Sequence, residues 1–292
     1  MGSEPSEQKS AERRRADRER LQDAAAELLS LEGWMRWVHA RAMLQGYSAA
    51  NCMLIAQQCH ERGIVPRRVC GAHAWRKLGR RARENETALR ISAPVRFRQR
   101  NKDNCEPGEQ RVFFKTSFVL ELSQTELLPG AEAHPLELER EPLSGNSHAH
   151  LLSPLQAFAE SLGYTVSFEA IAGPTSGWCH RGLRQIAVDV RAPANAQVRT
   201  LIHECVHALG IDYQSHPRDR AEVIADAVTF VASAGVGLAV DAESVSYVAS
   251  WSKNGALMEV TDCARTIDAL ARRIEDAALR PANSTQVLAV VR

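Results

Sequence analysis

The chain has 292 residues, 45% of them hydrophobic, 24% charged and 5% aromatic, with a formal net charge of +1. This is the mix of a soluble globular protein long enough for two domains, and it excludes a disordered or collagen-like chain. The charge is uneven: residues 1–130 hold 23 Lys+Arg against 16 Asp+Glu, and the remainder 13 against 19.

The opening MGSEPSEQKSAERRRADRER is polar, with no apolar core. It predicts a charged flexible tail over 1–20, no secretory signal and a cytoplasmic location. From Leu21 to Met43 the apolar residues Leu21, Ala25, Leu28, Leu31, Trp34 and Trp37 recur at helical spacing. A second helix restarts in GYSAANCMLIAQQC, where Ser48 is a suitable N-cap. A short helix ending near Gly79 follows, then strands in ALRISAPVRF and in 111–127, with the polar interval 98–110 as a hairpin loop. The proline- and glycine-punctuated stretch 129–149 reads as a linker. Beyond it a helix carries Leu152, Leu155, Phe158, Ala159 and Leu162 on one face. YTVSFEAIA and RQIAVDV then read as strands separated by the loop GPTSGWCHRGL. Helices near 194–209, 220–238, 243–256 and 259–278 complete the chain. No apolar run reaches the roughly 18 residues of a membrane span. The seven scattered cysteines form no CxxC pair, which predicts free thiols in a reducing compartment.

The stretch TLIHECVHALG carries the chemistry. His203 and His207 are one helical turn apart, so both imidazoles leave the same face. Glu204 is offset by about 100°. The apolar stripe Val198, Leu201, Ile202, Cys205 and Leu209 faces a core. This is the spacing that Zn²⁺ binding with a neighbouring general base requires. Gly210 ends the helix. A third ligand at 213, as in an HExxHxxGxxH site, is excluded because that position is Tyr213. The helix in AEVIADAVTFVASAG instead offers Glu222, with Asp226 one turn on to accept the outer N–H of His203 or His207. Asp212 and His216 are competing ligands on the loop between. Zn²⁺ with three protein ligands and Glu204 as the catalytic base suits hydrolysis of a protein or peptide substrate. RQIAVDV is expected as an edge strand able to pair with an extended peptide. His216, Tyr213 and Arg218 are candidates for the oxyanion-stabilising donor.

These motifs, in this order, resemble the ArdC-type antirestriction proteins. The resemblance rests on the Trp34/Trp37 helix, YSAANCMLIAQQ, AWRKLGRRARENETALRISAP, FVLELSQTE, TLIHECVHALG and RAEVIADA. It implies an N-terminal single-stranded-DNA-binding domain and a C-terminal zincin-like metallopeptidase domain, with zinc on His203, His207 and Glu222 and Glu204 catalytic. The second half also resembles the broader group of ImmA-like regulatory peptidases, which makes cleavage of a repressor the alternative function. A DNA-binding protein whose zinc is only structural is a third reading.

Single-strand binding needs cations along a groove and flat side chains for stacking. Arg76, Lys77, Arg80, Arg81, Arg83, Arg90, Arg96 and Arg98 are candidates for the first, and Tyr47, Trp75 and Phe97 for the second. Asn51 and Gln57 contact phosphate or base, or cap local backbone. Trp34 and Trp37 are expected in a core. The predicted class is α+β with two domains: a tail at 1–20, a DNA-binding domain at 21–128, the linker, and a gluzincin-like metallopeptidase domain at 150–292.

Overall fold

The computed structural model describes residues 4–98, 110–132, 140–240, 245 and 256–279. In chain order the elements are α1 (Glu4–Ala26), α2 (Leu31–Met43), α3 (Ala49–Glu61), β1 (Val69–Cys70), α4 (Ala72–Lys77), β2 (Arg80–Ala82), β3 (Leu89–Arg98), β4 (Gln110–Glu121) and β5 (Thr125–Leu127). They continue with β6 (Glu141–Pro142), α5 (Leu152–Ser161), β7 (Thr165–Glu169), β8 (Gly177–His180), β9 (Gln185–Asp189), α6 (Ala194–Ala208), α7 (Arg218–Gly235), β10 (Leu238–Ala239) and α8 (Ala256–Leu279). The fold is α+β, as expected. No helix among the described residues is long and apolar enough to cross a membrane.

Within the tail expected at 1–20, the described residues from Glu4 on are helical, in α1. Glu, Arg, Ala and Gln are good helix formers, and the pair Arg15–Glu19, at 2.8 Å and four residues apart, adds local support. The single helix expected over 21–43 is broken at Ser30, whose hydroxyl accepts from the Gly33 N–H and caps α2. The hairpin loop 98–110 and the helix 243–256 lie almost wholly outside the described residues.

The described residues fall into two units, one from 1–25 and 50–134, the other from 26–49 and 135–292. In the first unit β4 pairs antiparallel with β1 on one side and β3 on the other. The outer edge of β3 is closed by two amides of α3. The Asn51 side chain accepts from the Ser92 N–H and donates to the Ser92 carbonyl, both at 2.9 Å. Gln58 does the same for Arg90. These bonds occupy the backbone groups that an edge strand otherwise exposes. Trp75 and Leu89 are fully buried here, and the Trp75 indole donates to the Leu120 carbonyl at 2.9 Å.

The second unit is built on the sheet β7–β9–β8, with β7 parallel and β8 antiparallel to β9. Helix α6 packs on β8 and β9, α7 packs on α6 and α2, and α8 on α7 and α5. Ile186, Val188, Val198, Leu201, Ile202, Val228, Ile267 and Ile274 fill the interior. Trp34 and Trp37 are buried with ring centroids 5.4 Å apart, so they are core residues as expected, but of the second unit. Part of the presumed linker belongs to this unit as well. β6 pairs with β10, and Asn146 Oδ1 accepts from the Ala194 N–H at the start of α6. The buried Asn195 holds the Pro142 carbonyl and the His148 N–H at 2.8 and 2.9 Å. The start of α6 is therefore fixed by residues 142–148.

Candidate metal centre

Helix α6 presents His203 and His207 one turn apart, and α7 presents Glu222. One ligand atom from each lies within 4.8 Å of the others, so the three could hold a metal ion. The two Nε2 atoms are 3.2 Å apart. Glu222 Oε2 is 3.7 Å from His203 Nε2, and Oε1 is 3.9 Å from His207 Nε2. A tetrahedral ion with nitrogens at about 2.0–2.1 Å separates them by about 3.3 Å, so the imidazole pair fits such an ion.

The remaining nitrogens are oriented from behind. His207 Nδ1–H donates to the Ile211 carbonyl at 2.6 Å. Gly210 makes this return possible, with φ at +103° just past the helix end. The Thr229 hydroxyl donates to the Ala225 carbonyl at 2.7 Å and so is left to accept from His203 Nδ1–H at 3.3 Å. Both Nε2 lone pairs are thereby left for a cation. Asp226, expected in this role, stands 3.8 Å from His203 Nδ1, beyond a direct hydrogen bond. Burial and the neighbouring His207 lower the His203 pKa to about 4, which keeps the ring neutral and able to ligate.

Glu204 is 7% exposed. Burial, and then the charge of Glu222, push its carboxyl up to about 8. A base at that level both takes and returns a proton near neutrality. Cys205 is buried on the core side, as expected. Asp212 is not among the three that cluster: its carboxylate pairs with Arg181 and caps the Gln214 and Ser215 N–H groups at 2.8 and 2.9 Å. His216 does not join the cluster either.

His203, Glu204, His207, Asp212 and Glu222 line a cleft of about 400 Å³ together with Gly177, Trp178, Cys179, Arg181, Tyr213 and Gln214. The strand bordering it is β8, in the segment read from sequence as a loop. RQIAVDV forms the central strand β9, hydrogen-bonded on both sides, and the edge is β8. Burial and then Glu204 push the Cys179 thiol up to about 12, so it stays protonated in the cleft.

No family model matches the chain, and no curated protein does. Solved structures do: the chain is similar to the antirestriction ArdC protein from the R388 plasmid. The metal-free crystal structure of that protein aligns with a TM-score of 0.46 and 19% identity, over 80% of this chain and 82% of that one. Its Mn(II)-bound crystal structure gives 0.44 and 19%, over 84% and 94%. The sequence motifs resemble the same type of protein. At this identity and these TM-scores the likeness carries no chemistry, which rests on the side chains above.

The residues expected to contact DNA differ in where they stand. Trp75 is fully buried with its indole bonded to backbone, so it is a core residue and not a stacking platform. Asn51 is 8% exposed and clasps β3. Arg76, Lys77, Arg81 and Arg83 are exposed. Arg81 pairs with Glu126 at 2.8 Å, and Arg80 is half-buried on Thr125. Arg96 lies in β3, opposite Val112, and Phe97 lies beside it in the same strand. Tyr47 belongs to the second unit. The aromatics that reach solvent were missed: Phe113, Phe114 and Phe118 on β4 are 52%, 64% and 57% exposed. Their signal was legible, since FFKTSF in a strand cannot bury all three rings on one face.

Proposed function

We propose that the second unit is a zinc-dependent peptidase and that the first binds single-stranded DNA, making the chain an ArdC-like antirestriction or DNA-associated protein. One observation supports the peptidase reading above the rest: two imidazole Nε2 atoms 3.2 Å apart, facing Glu222, in an open cleft that also holds the buried Glu204.

Two imidazoles and a carboxylate suit Zn²⁺. When bound it supplies a Lewis acid for the carbonyl and a water acidified toward neutral pH. His203, His207 and Glu222 hold it. Glu204 takes the proton of the attacking water on its carboxylate and returns it to the leaving amine. The outer edge of β8 offers backbone N–H and C=O groups to an extended peptide lying along the cleft. Trp178 and Tyr213 then flank that peptide.

The DNA-binding reading is supported by the β3–β4 ribbon. Arg90 stands opposite Phe118, and Pro94 opposite Phe114, so these four share one face. Cations beside exposed rings are what a single strand stacks on.

Substitution of Glu204→Gln tests the catalytic reading. Cleavage of denatured casein, and of the chain itself with oligothymidine present, is expected to fall about 100- to 10,000-fold, with zinc content unchanged. A variant that keeps its zinc and cleaves as fast as the parent removes Glu204 from catalysis, and a parent that cleaves neither substrate refutes the peptidase. A shift of activity toward a repressor protein alone favours the regulatory-peptidase alternative.

A further inference from the structure

Attack on a carbonyl places negative charge on its oxygen, and a donor aimed at that oxygen stabilises it. Among the described residues lining the cleft, Trp178, Arg181, Tyr213 and Gln214 carry suitable side-chain donors. Arg181 is committed to Asp212. Tyr213 is the one whose donor reaches the ligand group: its hydroxyl donates to Glu222 Oε1, and its ring centroid is 6.0 Å from that of His207.

We infer that the Tyr213 hydroxyl is the group that stabilises the oxyanion, an inference that rests on the peptidase reading above. A phenol has one hydrogen to give. It serves Glu222 or the substrate oxygen, never both, so an entering carbonyl takes over the bond that Glu222 now receives. The loop is built to allow this exchange and little else. Asp212 fixes the turn through the Gln214 N–H, the Ser215 N–H and the Ser215 hydroxyl, while Arg181 ties it to the strand side of the cleft. The backbone at Tyr213 is thus held, and the side chain, 53% exposed, has room to turn.

The Arg218 guanidinium lies 5.2 Å from the ring centroid. Its charge strengthens the O–H as a donor while negative charge gathers on the acceptor. Arg218 thus touches both the ring and the hydroxyl of Tyr213 and does not line the cleft, which leaves the Tyr213 O–H as the acting group. His216, the third candidate, does not line the cleft. No covalent bond to Tyr213 forms and its proton stays on oxygen; the transferred proton passes through Glu204 to the leaving amine.

Tyr213→Phe removes the hydroxyl and keeps the ring over which Arg218 sits. Three quantities are compared with the parent: kcat and KM on labelled casein, zinc affinity by chelator competition, and binding of a phosphoramidate dipeptide, an anionic tetrahedral mimic, by calorimetry. The kcat is expected to fall about 100- to 1,000-fold with KM little changed. Phosphoramidate affinity should fall by a similar factor, while zinc affinity, with Glu222 losing one partner, falls by no more than about 10-fold. Unchanged kcat with unchanged phosphoramidate binding overturns the inference. So does a loss of activity that tracks zinc affinity and is restored by excess zinc, which would make the hydroxyl a positioning group for Glu222. If Glu204→Gln is inactive and Tyr213→Phe fully active, the Tyr213 assignment alone fails. If the parent itself cleaves neither casein nor its own chain, the peptidase reading fails and the Tyr213 assignment with it.

Discussion

At Gly177 the edge strand runs so close to α6 that a Cβ would sit 2.5 Å from Thr200 Cγ2, 2.9 Å from the Ala187 carbonyl oxygen and 3.4 Å from Glu204 Cγ. The missing side chain brings the strand that borders the cleft up to the helix that carries the base. Gly177→Ala must push them apart. It is expected to cost about 1–3 kcal/mol of stability, seen as a lower Tm, and to reduce cleavage beyond the loss of folded protein. A variant with parental Tm and activity would show that the contact is unimportant. His203, Glu204 and His207 were legible in sequence from their helical spacing, and Glu222 from the acidic pair it makes with Asp226, one turn on in the next helix. Thr229, the Ile211 carbonyl and the Tyr213–Glu222 bond were not. They depend on how the loop 211–217 brings α7 back onto α6, and no local pattern encodes that return.

Among elements, the helices with an apolar stripe and the strands β7 and β9 were readable, and β8 was not. β8 is four residues long within a segment rich in Gly and Pro, and it exists because β9 offers a partner. Reading it as loop made β9 the edge; pairing reversed the two. α1 lacked an apolar stripe and so read as a tail, yet its Asp17 accepts from the Thr116 hydroxyl of β4 at 2.6 Å. On that strand Thr116 lies between Phe114 and Phe118, which project from the same face. Each ring is expected to stack a base, a contribution of about 1–3 kcal/mol. Replacing both by Ala should weaken binding of labelled oligothymidine accordingly in fluorescence anisotropy, with little change in Tm because both rings are exposed. Undiminished affinity would place the nucleic acid elsewhere or remove it from the account.

At the scale of the whole molecule, two domains were expected with the border set by the acidic linker. The division instead gives residues 26–49 to the second unit. The reason is a buried charge cluster. Arg41 has no exposed surface, and its guanidinium bonds Asp268 at 2.5 Å and Glu275 at 3.0 and 3.1 Å. Asp268 Oδ2 also accepts from the Ala49 N–H at 3.0 Å. A buried cation needs such partners; they lie more than 200 residues away along the chain, so the sequence around Arg41 gives no hint of them. The same unit holds every proposed ligand, and the account stands or falls on whether they bind a metal. Zinc titration by calorimetry, with metal content by mass spectrometry, on the parent, His203→Ala and Glu204→Gln decides it. About one zinc per chain is expected in the parent and in Glu204→Gln, with loss of that ion in His203→Ala. A parent chain that binds no divalent ion, or a His203→Ala variant that binds it equally well, contradicts the account.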